Sequence, residues 1–523
     1  SFKVKAVMAD IKTYRNFIAI IAFVLLFSIS ACTTKQEAST QSAPNIVLFF
    51  VDDMGWQDTS VPFWKETTEL NRRYHTPNME RLAADGMKFT QAYATPVCSP
   101  TRVSLLTGMN AARHRVTNWT LHKDKIQPME ANHPTLEFPN WRVNGMSASS
   151  GDSNAVYATP LPQILQENGY TTVHVGKAHF GAIGTPGENP LNLGFDINIA
   201  GHAAGAPGSY YGEDAYGNNQ PNRSVWAVPG LEHYHDSNTN LTEALTLEAI
   251  SAIDSISQTK APFFLYLSHY AVHTPIMSDG RYFQKYIDKG LDSIEAKYAS
   301  MVEAMDKSLG DIMDYLAEHN LEQNTVVLFM SDNGGLSAVA RGETAHTHNR
   351  PLFSGKGSIY EGGIREPMLV KWPGRIQPNS VNDNYLIIED FYPSILEIAG
   401  INNPKTVQKV DGQSFVSLFD SQVAQTTEDR PLYWHYPNEW GPSGPGIGAF
   451  SAIRKGDFKL IYYHQTEAYE LFNIREDIGE KKNLYAQHPL VAKELAQELR
   501  AYLIEVEAQM PKHKSTGRRV RLP

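Results

Sequence analysis

Among the 523 residues of this chain, two acidic pairs are the first candidates for chemistry: Asp52-Asp53 near the start, and Asp332-Asn333 some 280 residues later. Adjacent carboxylates repel each other unless a cation neutralises them. Asp and Asn supply only oxygen donors, which suits a hard ion, Ca²⁺ or Mg²⁺, better than zinc. An isolated Asp-Asp is more simply a helix cap or half of a salt bridge, but here a second pair shifts the balance. Cys98 is followed by Pro100, which fits the first turn of a helix, and by Gly108, which fits its end. The thiol is therefore expected beside the positive end of a helix dipole, an address for an anion. A lone cysteine is more often a small buried hydrophobe, and a lone histidine more often a hydrogen-bonded structural residue, so placement has to decide.

The elements that would place these groups alternate between strand and helix. Asn45 to Val51 (NIVLFFV) is the continuous apolar run of a central parallel strand, and Asp52-Asp53 follows at its carboxyl end. Thr76-Pro77 opens a helix closed by Gly86, and Met87 to Ala94 returns as a strand leading to Cys98. Thr159-Pro160 opens a helix closed by Gly169, before a strand from Thr171 to Val175 that delivers Lys177 and His179. A helix near Leu241 to Ile256 precedes the strand Phe263 to Ser268, which runs out to His273. A long helix, about Ala296 to Leu316, precedes the strand Thr325 to Met330 and Asp332-Asn333. Four strands thus deliver polar groups past their carboxyl ends, the edge where open α/β sheets bind ligands. The fold class is α/β, a large, mostly parallel sheet between helices.

Past Gly412 the pattern changes to strands without intervening helices, Leu432 to Tyr436, Ala452 to Tyr463 with a hairpin turn at Lys455-Gly456-Asp457, and Ala468 to Phe472, then a helix from about Val491 to Ala508. This reads as a smaller antiparallel sheet with one helix, giving domains 45–412 and 413–523, and the basic tail Lys512 to Arg521 reads as a solvated terminus. The long polar stretches Arg113 to Tyr157 and Gly181 to Glu232 are too long for simple connections and point to a binding pocket.

The window Cys98-Ser99-Pro100-Thr101-Arg102, ending in Leu106-Thr107-Gly108, resembles the signature of the formylglycine-dependent sulfatases, with Thr101 where serine is commonest. The resemblance extends to Gly176-Lys177-Ala178-His179, to His273-Thr274-Pro275, and to Gly355-Lys356-Gly357 ahead of Tyr-Glu-Gly-Gly, covering Asn45 to about Gly400 and the C-terminal pattern. It implies an alkaline phosphatase-like fold and conversion of Cys98 to formylglycine by a maturation enzyme. It implies one divalent ion, Ca²⁺ by preference or Mg²⁺, held by Asp52, Asp53, Asp332 and Asn333 with the modified Cys98. Arg102 would orient the hydrated aldehyde, one hydroxyl of which attacks sulfur, while Lys177 and Lys356 hold sulfate oxygens. His273 would protonate the departing alcohol and His179 would take the proton of the second hydroxyl, roles that can be exchanged.

A net charge of −10 argues against a nucleic-acid binder without excluding an anionic substrate, because a site's local field can oppose the sign of the whole surface. Lys3, Lys5, Lys12 and Arg15 before an apolar run from Phe17 to Ile29 read as a signal peptide over residues 1–31. Ile29-Ser30-Ala31-Cys32 resembles the bacterial lipobox, which would leave Cys32 lipidated, residues 32–44 as a tether, and the protein anchored to a membrane in the periplasm or at the cell surface. Cys98 then has no disulfide partner, since the chain has only these two cysteines. The sequons at Asn118 and Asn222 carry little weight in a bacterial lipoprotein. The substrate expected is a terminal or near-terminal sugar of a sulfated polysaccharide of the ulvan, carrageenan or glycosaminoglycan type, with Asn118, Trp119, His202, His346, His348, Arg350 and the Trp434-His435-Tyr436 cluster as candidate pocket residues. Two alternatives stand beside this, a phosphodiesterase or phosphonate hydrolase of the same superfamily and a non-catalytic glycan-binding lipoprotein.

Overall fold

The computed structural model describes residues 43–219, 224–338, 341–342, 344–420 and 429–523. The leader, Cys32, most of the tether and the sequon residue Asn222 lie outside the described residues. No helix among those described is long and apolar enough to cross a membrane.

The strands of the main sheet are β1 (Asn45–Val51), β2 (Met87–Tyr93), β3 (Thr171–Gly176), β4 (Ile197–Ile199), β5 (Phe263–Ser268), β6 (Thr325–Ser331), β7 (Arg365–Lys371), β8 (Ser380–Asn382) and β9 (Leu386–Ile387). Their order is β8-β2-β7-β6-β1-β5-β3-β4, with β9 also paired to β2. All pairings are parallel except those of β7, which runs antiparallel to both β2 and β6. The sheet is therefore mixed and mostly parallel, as the alternating pattern predicts.

Strand β1 shows why this sequence makes a two-faced sheet. Its side chains alternate between faces, so Ile46, Leu48 and Phe50 join one apolar cluster with Leu105, Leu106, Ile395 and Leu396. Val47, Phe49 and Val51 join the other, with Leu245, Ile253, Val302, Leu309 and Ile312. The covering helices are α1 (Pro77–Asp85), α2 (Cys98–Thr107), α3 (Leu161–Glu167), α4 (Leu241–Ser257), α5 (Ser293–Glu318) and α6 (Phe391–Ile398). Each buried Leu, Ile or Phe of these faces contributes about 1.5–3 kcal/mol.

The C-terminal strands β10 (Leu432–Tyr436), β11 (Phe450–Lys455), β12 (Phe458–Tyr463) and β13 (Ala468–Asn473) form an antiparallel sheet in sequential order, and α7 (Pro489–Glu505) packs on it. The sequence places a boundary at 412/413, yet residues Ala43–Pro523 form one compact unit. Trp434, Tyr436, Phe450 and Ile461 belong to the same apolar cluster as Phe391 and Ile395. The expectation of a solvated tail is corrected as well. Lys512–His513 pairs with Leu136–Glu137, Val520 is buried against Leu136, Tyr462 and Met510, and Arg518 and Arg521 both bind Glu467.

Candidate active site

Pairing register aligns the strand ends. Val51 of β1 pairs with Ser331 of β6, Phe50 with Ser268 of β5, and Ser268 with Gly176 of β3. With strands about 4.8 Å apart, the residues that follow these ends emerge side by side. Gly176 is required for this closeness: its φ is +99°, and a Cβ there would lie 2.0 Å from the Ser268 carbonyl oxygen. From the far side, α2 brings Cys98 at its first turn, and Gly108 closes the helix in the left-handed conformation, φ 67°.

Asp52, Asp53 and Asp332 meet Arg102, Lys177 and Lys356, three carboxylates against three cations, all buried. Lys177 Nζ donates to Asp52 Oδ2 at 2.6 Å, and Lys356 Nζ donates to Asp53 Oδ1 at 2.6 Å while standing 3.7 Å from Cys98 Sγ. Arg102 donates to Asp332 Oδ2 from Nε at 3.1 Å and Nη2 at 2.8 Å, and to the Ser268 hydroxyl from Nη1 at 2.6 Å. Asp332 Oδ1 accepts the Asp53 backbone N–H at 3.2 Å, and Asn333 Nδ2 donates to Asp53 Oδ1 at 2.8 Å.

The electrostatics follow from burial and neighbours. Against the upward push of burial, Lys356 and then His273 hold the Asp53 carboxyl far below its ordinary range. Burial raises Asp52 well above its ordinary value, with the Asp332 charge adding to it. Burial also raises the Cys98 thiol, and the nearby Lys177 and Lys356 do not fully offset it. An unmodified Cys98 is thus a poorly ionised nucleophile.

Two buried oxygens, Asp52 Oδ1 and Asn333 Oδ1, accept no hydrogen bond. Ligand atoms of Asp52, Asp53, Cys98 and His273 lie within 4.8 Å of one another. Unsatisfied buried acceptors beside carboxylates fit a divalent cation, which would satisfy them.

The two histidines are oriented by backbone carbonyls. His179 Nε2 donates to the Thr120 oxygen at 2.9 Å, which leaves Nδ1, buried and unpartnered, as the free lone pair. His273 Nδ1 donates to the Thr274 oxygen at 2.8 Å, which turns Nε2 toward Asp53 Oδ2 at 3.7 Å. Burial, with Lys177 next, pushes His179 well below its ordinary value, and burial with Lys356 takes His273 down to about 3. Gly205 lies flat against the His179 ring, where a Cβ would come within 2.4 Å of Cε1.

Asp53, Cys98, His179, His273 and Lys356 floor a cavity of about 1100 Å³ whose walls carry Trp119, Trp226 and Trp440. Lys356 Nζ lies 5.8 Å from the Trp440 ring centroid, within cation–π range. Of the nine expected sugar-pocket residues only Trp119 lines this cavity, and the structure places the other eight outside its lining. Asn118 is fully buried, donating to Glu130 and the Glu439 carbonyl and accepting from Tyr436, so it presents no face to a glycan either. His435 is clamped between Ser451 and the Gln509 carbonyl, and its neighbour Trp434 donates to the Ala94 carbonyl from within the core. His348 lies 3.2 Å from Glu295 Oε1 in a buried network with Arg341 and Asp58. His202 packs by its ring on Tyr270 and accepts the His179 N–H with its carbonyl, the His346 ring faces Gly444, and Arg350 is exposed. Sequence reasoning missed Trp226, Trp440 and Ser209, which sit in loops without periodicity, and Asp214, which sits in the short 3₁₀ segment Gly212–Gly217. The length of the stretch Gly181 to Glu232 was the one signal for all of these but Trp440.

Comparison with known proteins agrees with this geometry. The sulfatase family profile matches residues 44–401, and a profile described as N-sulphoglucosamine sulphohydrolase, C-terminal, matches residues 352–509. The chain is 30% identical to a sulfatase of Formosa agariphila over 94% of its own length and 95% of the relative's. It is 30% identical to the N-acetylgalactosamine-6-sulfatase of Mus musculus, covering 87% of this chain and 81% of that one. The crystal structure of Ps i-CgsB in complex with k-i-k-neocarrahexaose superposes with a TM-score of 0.69 at 26% identity, covering 88% and 93% of the two chains. With the aligned strand ends and the compensated charge around Cys98, these matches make the chain a member of the sulfatase family and a sulfuric ester hydrolase.

Proposed function

We propose that this hydrolase removes sulfate from terminal or near-terminal sugars of a sulfated polysaccharide, using a formylglycine made from Cys98. The observation that carries the reading is the cavity itself, a floor of paired charges under tryptophan walls. The Lys356 ammonium on the floor suits the sulfate oxygens and flat aromatic faces suit sugar rings. Two of the relatives named above are described with sugars, the mouse enzyme as an N-acetylgalactosamine-6-sulfatase and Ps i-CgsB in complex with k-i-k-neocarrahexaose, which supports a saccharide substrate here.

Asp52, Asp53, Asp332 and Asn333 would hold a divalent ion, Ca²⁺ by preference. When bound, it supplies positive charge where the ester oxygens gather. Arg102 fixes Asp332, and Lys177 and Lys356 bring ammonium groups to the sulfate. His179, anchored through Nε2, keeps Nδ1 available to take a proton. His273, anchored through Nδ1, keeps Nε2 for the departing alcohol oxygen, and the negative charge of an arriving sulfate raises its affinity for that proton. The leader and Cys32 support export as a lipoprotein tethered to a bacterial membrane, with a maturation enzyme acting on Cys98.

The test pairs peptide mass spectrometry of the Cys98 segment, in protein from its native host, with sulfate release from ulvan, carrageenan and chondroitin sulfate oligosaccharides. The expected outcome is an aldehyde at position 98 and release from at least one of them. An unmodified thiol there, or faster turnover of phosphodiesters than of every sulfate ester, overturns the reading.

A further inference from the structure

Among the described residues lining the cavity, two carry carboxylates: Asp53 on the floor and Asp214 on the wall. Asp53 is matched by Lys356. Asp214 sits in a cavity for an anionic ester without such a match in its hydrogen bonds: Oδ2 accepts the Ser209 hydroxyl at 2.6 Å, and Oδ1 accepts no hydrogen bond from the described residues. Ser209 is itself fixed, because its oxygen accepts the Tyr211 N–H at 3.1 Å. The carboxylate is thereby oriented, with one oxygen committed and one left over.

The backbone holding it is unusual. Ala215 and Tyr216, immediately after Asp214, are both left-handed, φ 49° and 52°. Residues other than glycine seldom adopt this conformation, least of all two in succession. Tyr216 is kept there by full burial, by its hydroxyl donating to the Thr239 oxygen at 3.0 Å, and by its N–H donating to Tyr211. Backbone held in sparsely populated regions by its surroundings gathers at ligand-binding sites.

A carboxylate near a sulfate repels it. The same group accepts hydrogen bonds from neutral hydroxyls. We infer that Asp214 reads a free hydroxyl of the sulfated sugar ring and turns away a ring bearing a second sulfate or a carboxylate at that position, so that the substrate is a monosulfated, otherwise uncharged sugar. This rests on the sulfatase reading and narrows it, favouring a neutral hexose or hexosamine ring over a uronate.

The test measures kcat/KM of the matured enzyme on a monosulfated disaccharide and on the same disaccharide with a second sulfate, with an aryl sulfate as a third substrate. Wild-type enzyme that cleaves none of the three disproves the sulfatase reading, a failure distinct from this one. With an active wild type, Asp214→Asn is expected to lower the monosulfated-to-disulfated ratio by about tenfold or more, mostly through KM. Ser209→Ala, which frees the carboxylate, should move the ratio in the same direction by less. Should Asp214→Asn fail to fold, Asp214→Ser, which also removes the charge, is measured in the same assay and should lower the ratio likewise. A ratio unmoved by a folded substitution at Asp214 overturns the inference.

Discussion

Two buried ionic clusters in this molecule use the same residue types for different ends. The first is the cavity floor. The second lies where β12 crosses the main domain: Lys459 Nζ bonds Glu361 at 2.9 Å, Glu480 at 2.6 Å and the Ile359 carbonyl at 3.0 Å, while Glu361 also accepts from Tyr93 at 2.6 Å and Arg365 at 3.2 Å. Both are buried, and both set carboxylates against cations. The floor opens on a cavity through Asp53, Cys98, His179, His273 and Lys356, whereas the second cluster converges on one ammonium enclosed by protein. Open space beside the ion pairs, rather than buried charge as such, separates the working cluster from the one that holds the fold together.

The sharpest way to break this contrast is Cys98→Ala. It should lower sulfate release by about 10³-fold or more, since the nucleophile is gone, while the thermal midpoint stays within a few degrees. Appreciable sulfate release by that variant would show that the floor does not work as described. Lys459→Met should do the opposite, destabilising the fold by about 3–5 kcal/mol because two carboxylates lose their cation. Urea unfolding would measure it, and kcat per folded molecule should stay within about threefold.

A third prediction concerns the wall behind Trp119. Burial raises the Glu130 carboxyl to about 7, above the roughly 4.3 of an unfolded chain. The folded state therefore holds this proton more tightly than the unfolded state. That contribution is complete below pH about 4 and is lost as the pH climbs to about 7, amounting to roughly 3–4 kcal/mol. Glu130→Gln should remove this slope, read as the difference in unfolding free energy between pH 5 and pH 8; an unchanged slope would show that Glu130 is ordinary. The smallest effect is expected of His435→Gln. Losing its bonds to Ser451 and Gln509 should cost about 1–2 kcal/mol and leave KM for sulfated oligosaccharides within twofold, whereas a large rise in KM would return His435 to the sugar pocket.

Most of the floor was legible in the sequence because Asp53, His179 and His273 each follow an apolar strand, and strand ends in a parallel sheet share one edge, whereas Lys356 follows no strand and was legible only through the family resemblance. The helix from Cys98 to Gly108 was legible through Pro100 and Gly108. The walls were not, since Trp226, Trp440 and Asp214 stand in loops or a short 3₁₀ segment, the last held by contacts such as Tyr216 to Thr239. Trp434 shows the reverse error. An aromatic in a half-buried strand reads equally as platform or core, and its indole N–H bonded to Ala94 places it in the core. The basic tail misled because a charge reads as solvent-facing until its partner, here Glu467, is found far along the chain.

The central position of β1 also sets a timetable for synthesis. Its neighbours are β5 and β6, and its last residue pairs with Ser331, so the first strand to be made waits for about 280 residues more before the sheet can close around it. At about 5–20 residues per second that delay is tens of seconds. In the finished protein Cys98 is only 4% exposed. On the proposed conversion of Cys98 to formylglycine, an enzyme that must grip the surrounding residues would meet them as an open peptide only before β6 arrives, so that maturation would be a race between modification and the last central strand.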